Sequence, residues 1–418
     1  MLHTPAVPGP DAARAAAILA DIGPLLPALA SPALVVDLAA VDHNIAAVLR
    51  RCHGDATGPS SDRADGCIGS SGSDRWRPHV KTLKSAALVR RLWAAGVTRC
   101  KCATLDELQM LLDAAAEDGR EDSLDVLLAY PLHEAAFHAV VALAGAHPAA
   151  RVQLLADSPE HALALDAWAA RAGLTRPLDL HLDVDLGMDR TGSPPPVWRD
   201  SVARLAALSR CRVAGLHGYD GHLAWSQTIE AAAAYDVLCD LAAAFACIGT
   251  DLELITSGTH SFLAALAHPR LAAGPWRHRI SPGTVVLSDL RSHPAAEALG
   301  LQQAAWVLAR VVSRGPDRVT LDAGSKAIAP DRPAPNCRLP AWPGLVPLKP
   351  SEEHLPLRRE HGALPDHGAP VLLVPDHVCT TVNLYRECLL LRPGSSPVRA
   401  PIGAQGHRLF LASEGSPA

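Results

Sequence analysis

Apolar positions along the chain follow two spacings in turn. Short runs of mostly apolar residues read as strands. Ala/Leu-rich stretches with apolar residues at i, i+4 and i+7 read as helices between them. The strands expected on this basis are Ala33–Asp37, Arg99–Ala103, Asp125–Ala129, Val152–Ala156, Leu178–Val184, Val213–His217, Leu252–Thr256 and Val285–Leu287. Leu38–Arg51 has helical spacing, and Leu88, Leu92 and Ala95 place another helix after a Pro-His-Val run that itself reads as a short strand. Strand–helix alternation over roughly 250 residues predicts an α/β fold, a (β/α)8 barrel. Beyond Gly300 the pattern changes. Proline, glycine and short strands dominate (Trp306–Ser313, Arg318–Asp322, Val371–Val374, Glu387–Leu391), which predicts a β-rich second domain. The expected division is a barrel over 31–298 and a β-rich domain over 299–418, joined by an N-terminal helix or arm over 1–30. Residues 53–74 are rich in Gly, Ser and Asp, lack an apolar period and read as a flexible surface loop without catalytic role.

Composition narrows the class. The 418 residues carry a formal net charge of −5 and only 4% aromatic residues. No Lys/Arg cluster marks a nucleic-acid or membrane surface. The apolar run Ala15–Leu29 is broken by Asp21, Gly23, Pro24 and Pro27, so neither a signal peptide nor a membrane span is expected, and the expected location is cytoplasmic. Ten cysteines are scattered without a framework spacing, and disulfides are not expected. Cys100-Lys101-Cys102 reads as buried small side chains in a strand.

The stretch with the most chemistry is Trp76–Lys84. A lysine at the C-terminal end of a barrel strand is desolvated and close to other charges. Both effects favour a neutral amine that forms a Schiff base. The plain alternative is a solvated basic turn. Arg77-Pro78-His79-Val80-Lys81-Thr82, followed by Lys84, resembles the RPHxKTxK signature of fold-type III pyridoxal-phosphate enzymes related to D-threonine aldolase and D-serine dehydratase, which have an alanine-racemase-like barrel. The resemblance implies that Lys81 carries pyridoxal phosphate. It also places Leu83 where those enzymes usually have His, and makes 53–74 an insertion.

Further stretches carry the resemblance in order. Thr104-Leu105-Asp106-Glu107 resembles a CATxxEA turn and also reads as an N-capped helix start. His181–Gly192 resembles xDxGxxRxG, with Arg190 as a cofactor or carboxylate contact; an Asp–Arg pair that stiffens the loop is the alternative. Gly215–His222 resembles GLHxYDGH. It offers Tyr219 to the cofactor ring and His217 or His222 as acid or base, since imidazole titrates near neutrality. Thr256–Ser261 and Ser281–Thr284 resemble the family's phosphate turns, which makes Ser257, Gly258, Thr259, Gly283 and Thr284, together with His79, the expected cofactor contacts. Asp289 follows the second turn. Leu321–Lys326 and Ser351–His354 resemble motifs of the family's second domain.

His377 and Cys379 lie two apart after the strand Val371–Val374, a spacing that lets both face one divalent ion. Imidazole plus thiolate favours zinc over manganese or magnesium. The resemblance implies a lyase acting on D-3-hydroxy amino acids. Dehydration of the D-serine dehydratase type, to a 2-oxo acid and ammonia, is the first reading and D-threonine aldolase cleavage the alternative. A racemase is a third reading, which lacks a visible second base among the four tyrosines. The expected partners are a small D-amino acid and, from the family, a second copy in a homodimer.

Overall fold

The structure is a computed structural model that describes residues 10–54, 72–248 and 251–410. The segment expected to be a flexible insertion lies mostly outside the described residues. Two compact units divide the chain. One comprises residues 10–47, 82–91 and 284–406, and the other essentially the remainder. No helix among the described residues is long and apolar enough to cross a membrane.

The strands in chain order begin with β1 (Ala33–Asp37), which belongs to the first unit. Seven parallel strands follow in the second unit: β2 (Arg99–Cys102), β3 (Asp125–Leu128), β4 (Arg151–Ala156), β5 (Leu178–Asp183), β6 (Cys211–Gly218), β7 (Glu253–Thr256) and β8 (Arg277–Ile280). They lie side by side in sequence order. Single parallel bridges from Trp76 to Ile280 and from His79 to Lys101 tie both edges of this sheet to the segment before Lys81, which therefore takes the place of the first barrel strand. The Pro-His-Val run is thus strand-like only at isolated bridges, and Val80–Thr82 is a 3-10 turn. Helices return the chain between strands. That of Leu105–Glu117 starts as its sequence requires, with Thr104 Oγ1 accepting from Glu107 N at 3.1 Å and the Glu107 carboxylate reaching back to Ala103 N at 2.7 Å.

The eighth strand was expected at Val285–Leu287. Those residues are buried, but Thr284–Val286 forms a 3-10 turn and the strand lies earlier, at Arg277–Ile280. Its sequence, Arg-His-Arg-Ile, reads as polar. It is tolerated because its polar groups meet buried partners: Arg279 pairs with Glu253 at 2.9 Å and His278 Nε2 lies 2.8 Å from Thr256 Oγ1.

Those partners belong to a charged floor inside the barrel. Arg77 is fully buried. It donates to both carboxylate oxygens of Glu253, at 2.8 and 3.1 Å, and to Asp125 Oδ1 at 2.9 Å. Burial alone would push Glu253 up, but Arg77 and Arg279 hold it at about 2. Burial works against the Arg77 charge too, and the two carboxylates more than offset it, so its pKa lies above the usual arginine range.

The first unit is built on a mixed sheet. Its strands are β1, β9 (Ala305–Arg314), β10 (Arg318–Leu321), β11 (Cys337–Arg338), β12 (Leu345–Pro347), β13 (Leu355–Arg359), β14 (Pro370–Pro375), β15 (Glu387–Leu391) and β16 (Val398–Pro401). The order is β12-β13-β10-β9-β1-β15-β16, with β14 pairing β9 and β11. β1 was grouped with the barrel in the expected division at 298/299. Its hydrogen bonds go instead to β9, antiparallel, and β15, parallel. The apolar run Leu34-Val35-Val36 suits this central position, buried on both faces. The helix Pro10–Asp21 lays Ala15 and Ile18, and Ile22 just after it, on the same core as Val35, Trp306 and Leu372.

His181, on β5, is fully buried in the barrel with both ring nitrogens lacking hydrogen-bond partners. Burial lowers its pKa to about 4, although Glu253 opposes the shift. An unfolded chain would take up that proton near pH 6.5. Between about pH 6.5 and 4 the unfolded state therefore binds more protons, and stability falls as the pH falls. We expect urea unfolding to show a loss on the order of 2–3 kcal/mol across this window, and His181→Gln to flatten it. An unchanged slope in the variant would remove His181 as its source.

Candidate active site

Side chains with chemistry collect at the C-terminal ends of the barrel strands, the face where such barrels place their sites. Lys81 sits in the turn after Pro78-His79, half-buried, with its backbone N–H 3.3 Å from His79 Nδ1. The last residues of β2, β5 and β6 join inside the mouth. Asp183 Oδ1 lies 2.7 Å from His217 Nδ1, and His217 Nε2 lies 3.2 Å from Lys101 Nζ. A carboxylate only accepts, so Nδ1 carries the hydrogen and the neutral ring accepts from Lys101 through Nε2. Burial and Lys101 lower the His217 pKa, consistent with a neutral ring. Thr191 donates its hydroxyl to Asp183 at 2.8 Å and keeps that carboxylate in place.

Tyr219 stands above this relay. Its ring has the Arg190 guanidinium 4.9 Å from its centroid and Lys101 Nζ at 5.7 Å. Two glycines make room for the ring. A Cβ on Gly258 would meet it at 3.1 Å, and one on Gly221 would overlap it at 2.3 Å. Asp220 then ties two turns together, accepting from Tyr235 OH at 2.6 Å and Ser261 Oγ at 2.7 Å, while Ser261 Oγ accepts from Gly258 N at 3.3 Å. Ser257 adopts a positive φ of 67°, and its hydroxyl turns back to Thr256 O. Gly283 passes so close to the 76–79 segment that a Cβ would lie 2.2 Å from His79 O. Lys81 together with glycine turns that let backbone approach a ligand fits pyridoxal phosphate.

A second cluster lies in the first unit. His377 occupies the position just before the short helix Val378–Val382. Its Nδ1–H donates to Asp331 at 2.7 Å, and its side chain also hydrogen-bonds Cys379. Burial works against an imidazolium here, but Cys379 and Asp331 raise the pKa to about 9. Cys379 Sγ lies 3.1 Å from the Thr82 hydroxyl and 3.5 Å from that of Thr284. Buried Asp289 fixes the helix start by accepting from Val378 N at 3.0 Å and Ser292 N at 2.8 Å. Among the described residues no three His, Cys, Asp or Glu side chains converge on one point. His377 and Cys379 supply donors of the kinds zinc takes, an imidazole and a thiol, two short of a tetrahedral set.

The expected residues thus separate. Lys81, His79, Arg190, His217, Tyr219, Ser257, Gly258, Thr259 and Gly283 belong to the barrel unit, while Thr284 has its hydroxyl near Cys379. His222 is exposed on its turn and is not part of the Asp183–His217–Lys101 relay. Leu83, where the resemblance has His, is a buried apolar side chain, and Lys84 donates to Ala404 O at 3.1 Å. The sequence reading passed over Lys101 and Asp331. A lysine between two buried cysteines of a strand is costly to bury, and that cost was the available signal. Asp331 is far in sequence from His377 and left no signal.

Two family models match the chain: "Alanine racemase, N-terminal domain" over residues 69–268 and "Putative serine dehydratase domain" over residues 304–391. D-threonine aldolase of Arthrobacter sp. is 27% identical over 380 residues, covering 87% of this chain and 89% of that protein. D-threo-3-hydroxyaspartate dehydratase of Delftia sp. (strain HT23) is 26% identical over 385 residues, covering 84% and 92%. The crystal structure of D-threonine aldolase from Filomicrobium marinum superimposes with a TM-score of 0.73 at 25% identity, covering 90% of this chain and 96% of that one.

Two outcomes follow. Lys81→Ala is expected to lose every borohydride-reducible link to added pyridoxal phosphate; a retained link at another residue, mapped by mass spectrometry, would displace Lys81. Asp331→Asn is expected to weaken divalent-metal affinity about 10–100-fold, measured by chelator competition. Unchanged affinity would mean that Asp331 does not orient His377.

Proposed function

Because the chain belongs to the fold-type III pyridoxal-phosphate lyases of the D-serine dehydratase and D-threonine aldolase family, we propose that it dehydrates D-3-hydroxy amino acids to 2-oxo acids and ammonia. The observation that carries the choice is the donor pair His377–Cys379, joined by a hydrogen bond and braced by Asp331. Solved structures of the Delftia dehydratase include an alanine variant at a histidine and another, in a metal-free form, at a cysteine two residues further on, the same spacing as here.

Bound pyridoxal phosphate supplies a sink for negative charge at the substrate Cα. Lys81 holds the cofactor. The same Nζ, when not engaged by the cofactor, would take the Cα proton. Arg190 and Tyr219 bind and orient at the mouth, and Asp183 keeps His217 in one tautomer. His377 and Cys379 would hold a divalent ion, zinc by the softness of the donors, whose Lewis acidity favours departure of hydroxide.

The second reading, cleavage to glycine and an aldehyde, is favoured by the overall match to D-threonine aldolases, at a TM-score of 0.73 for the Filomicrobium enzyme. It differs in which bond to Cβ breaks. Product analysis with D-threonine separates the two. Dehydration gives 2-oxobutanoate and ammonia, lost on chelation and restored by Zn2+. Glycine and acetaldehyde would replace the first reading with the second, and L-allo-threonine, the product of inversion at Cα, would indicate racemase chemistry.

A further inference from the structure

Lysine is rare in this chain. Five of its 38 Lys and Arg residues are lysines, at positions 81, 84, 101, 326 and 349. Arginine supplies the cation in the ion pairs of the barrel floor. The two residues differ in a way that counts in a buried site: an ammonium can give up its proton near neutrality, whereas a guanidinium cannot. Lys326 pairs with glutamates at the surface, and Lys84 is tied to a backbone carbonyl. Lys101 has no such plain duty.

Lys101 is 3% exposed, yet no carboxylate forms an ion pair with it among the described residues. Its hydrogen-bond partner is His217 Nε2, the accepting nitrogen of a ring locked by Asp183. The charged and titratable groups facing it are Lys81 from the turn before β2, Asp183 and Arg190 from β5 and its loop, and His217 and Asp220 from β6 and its turn. The Tyr219 ring lies alongside. Burial and the Lys81 charge act against its proton, and Asp183 only partly opposes them, so the amine titrates at about 7 instead of 10.5. An apolar residue would fill this place at less cost. The arrangement keeps instead an amine hydrogen-bonded to His217 and 5.7 Å from the Tyr219 ring centroid.

We propose that Lys101 is a second functional amine of the site, a cofactor-facing charge that stabilises the negative charge formed beside Lys81. The inference rests on the reading of Lys81 as the cofactor lysine. An ammonium as buried as that of Lys101 acts on developing negative charge much more strongly than it would in solution. The neutral amine does not. Activity therefore declines as pH rises through about 7, the value at which Lys101 loses its proton.

The experiment uses holoenzyme labelled with 13C at lysine Cε, in which five resonances are simple to resolve. The Lys101 resonance is identified by its loss in Lys101→Met and Lys101→Arg, and it is expected to titrate at about pH 7. The visible absorption of bound cofactor is followed over the same range. Wild type is expected to show an inflection at the same pH that is absent from both variants, with Lys101→Arg holding the low-pH spectrum throughout. With whichever D-3-hydroxy amino acid is turned over, Lys101→Met should lose about 10²–10³-fold in kcat. Lys101→Arg should lose the alkaline decline. A resonance that titrates above pH 9, or an inflection that survives in Lys101→Arg, overturns the proposal. Should Lys101→Met fail to hold cofactor, Lys101→Arg decides, because it keeps both charge and donor. A reducible cofactor link that persists in Lys81→Ala would instead refute the reading of Lys81, and the lysine titration tells the two failures apart.

Discussion

The barrel depends on one buried guanidinium. Arg77 sits on the segment that joins the two edges of the parallel sheet, and it meets Glu253 on β7 and Asp125 on β3 from there. A planar fork with two carboxylates has few orientations, and lysine could not reproduce them. Removing one partner would strand a charge inside the barrel at a cost of about 3–5 kcal/mol. Such networks add little net stability over a well-packed apolar core, so their value lies in specifying one arrangement. Here that arrangement fixes the segment four residues before Lys81. The arginine of the signature therefore builds the floor that sets where its lysine stands.

The same constraint explains what could be read in advance. Strands made of apolar runs were legible almost to the residue: Glu387–Leu391 coincides, and Leu178–Val184 differs from β5 by one position. Arg277–Ile280 was not legible, because its polar side chains are buried only through partners more than twenty residues away. No local period reports a long-range ion pair. β1 was legible as a strand but not as a member of the second sheet, since an apolar run says that both faces are covered without saying by what.

The candidate site divides in the same way. Lys81, His217, Tyr219 and the glycine turns came from motif order, and the structure brings His217 to Asp183 and Tyr219 to Arg190. Lys101 and Asp331 were missed because each acquires its meaning from a partner on another element, His217 for one and His377 for the other. His222 illustrates the converse. Its spacing from His217 within one motif suggested shared work, but the turn leaves it exposed, apart from the relay.

On the proposed reading, dehydration and aldol cleavage share what the barrel mouth would supply, namely an amine for the cofactor, an oriented ring contact and positive charge beside the reacting carbon. They part at Cβ, where either the bond to oxygen or the bond to Cα must break. The mouth cannot distinguish them, because its groups act on charge at Cα whichever bond breaks. On the proposed reading, discrimination falls to the group that handles the β-hydroxyl, and that reading assigns it to the donor pair His377 and Cys379. A thiolate gives more charge to its ion than a carboxylate would and favours zinc over the harder manganese or magnesium. Asp331 adds to this by accepting from His377 Nδ1, which on the proposed reading would turn the other ring nitrogen to a bound ion. On that reading the choice of reaction rests on a few side chains of the β-rich unit, and the chemistry common to both outcomes on the barrel.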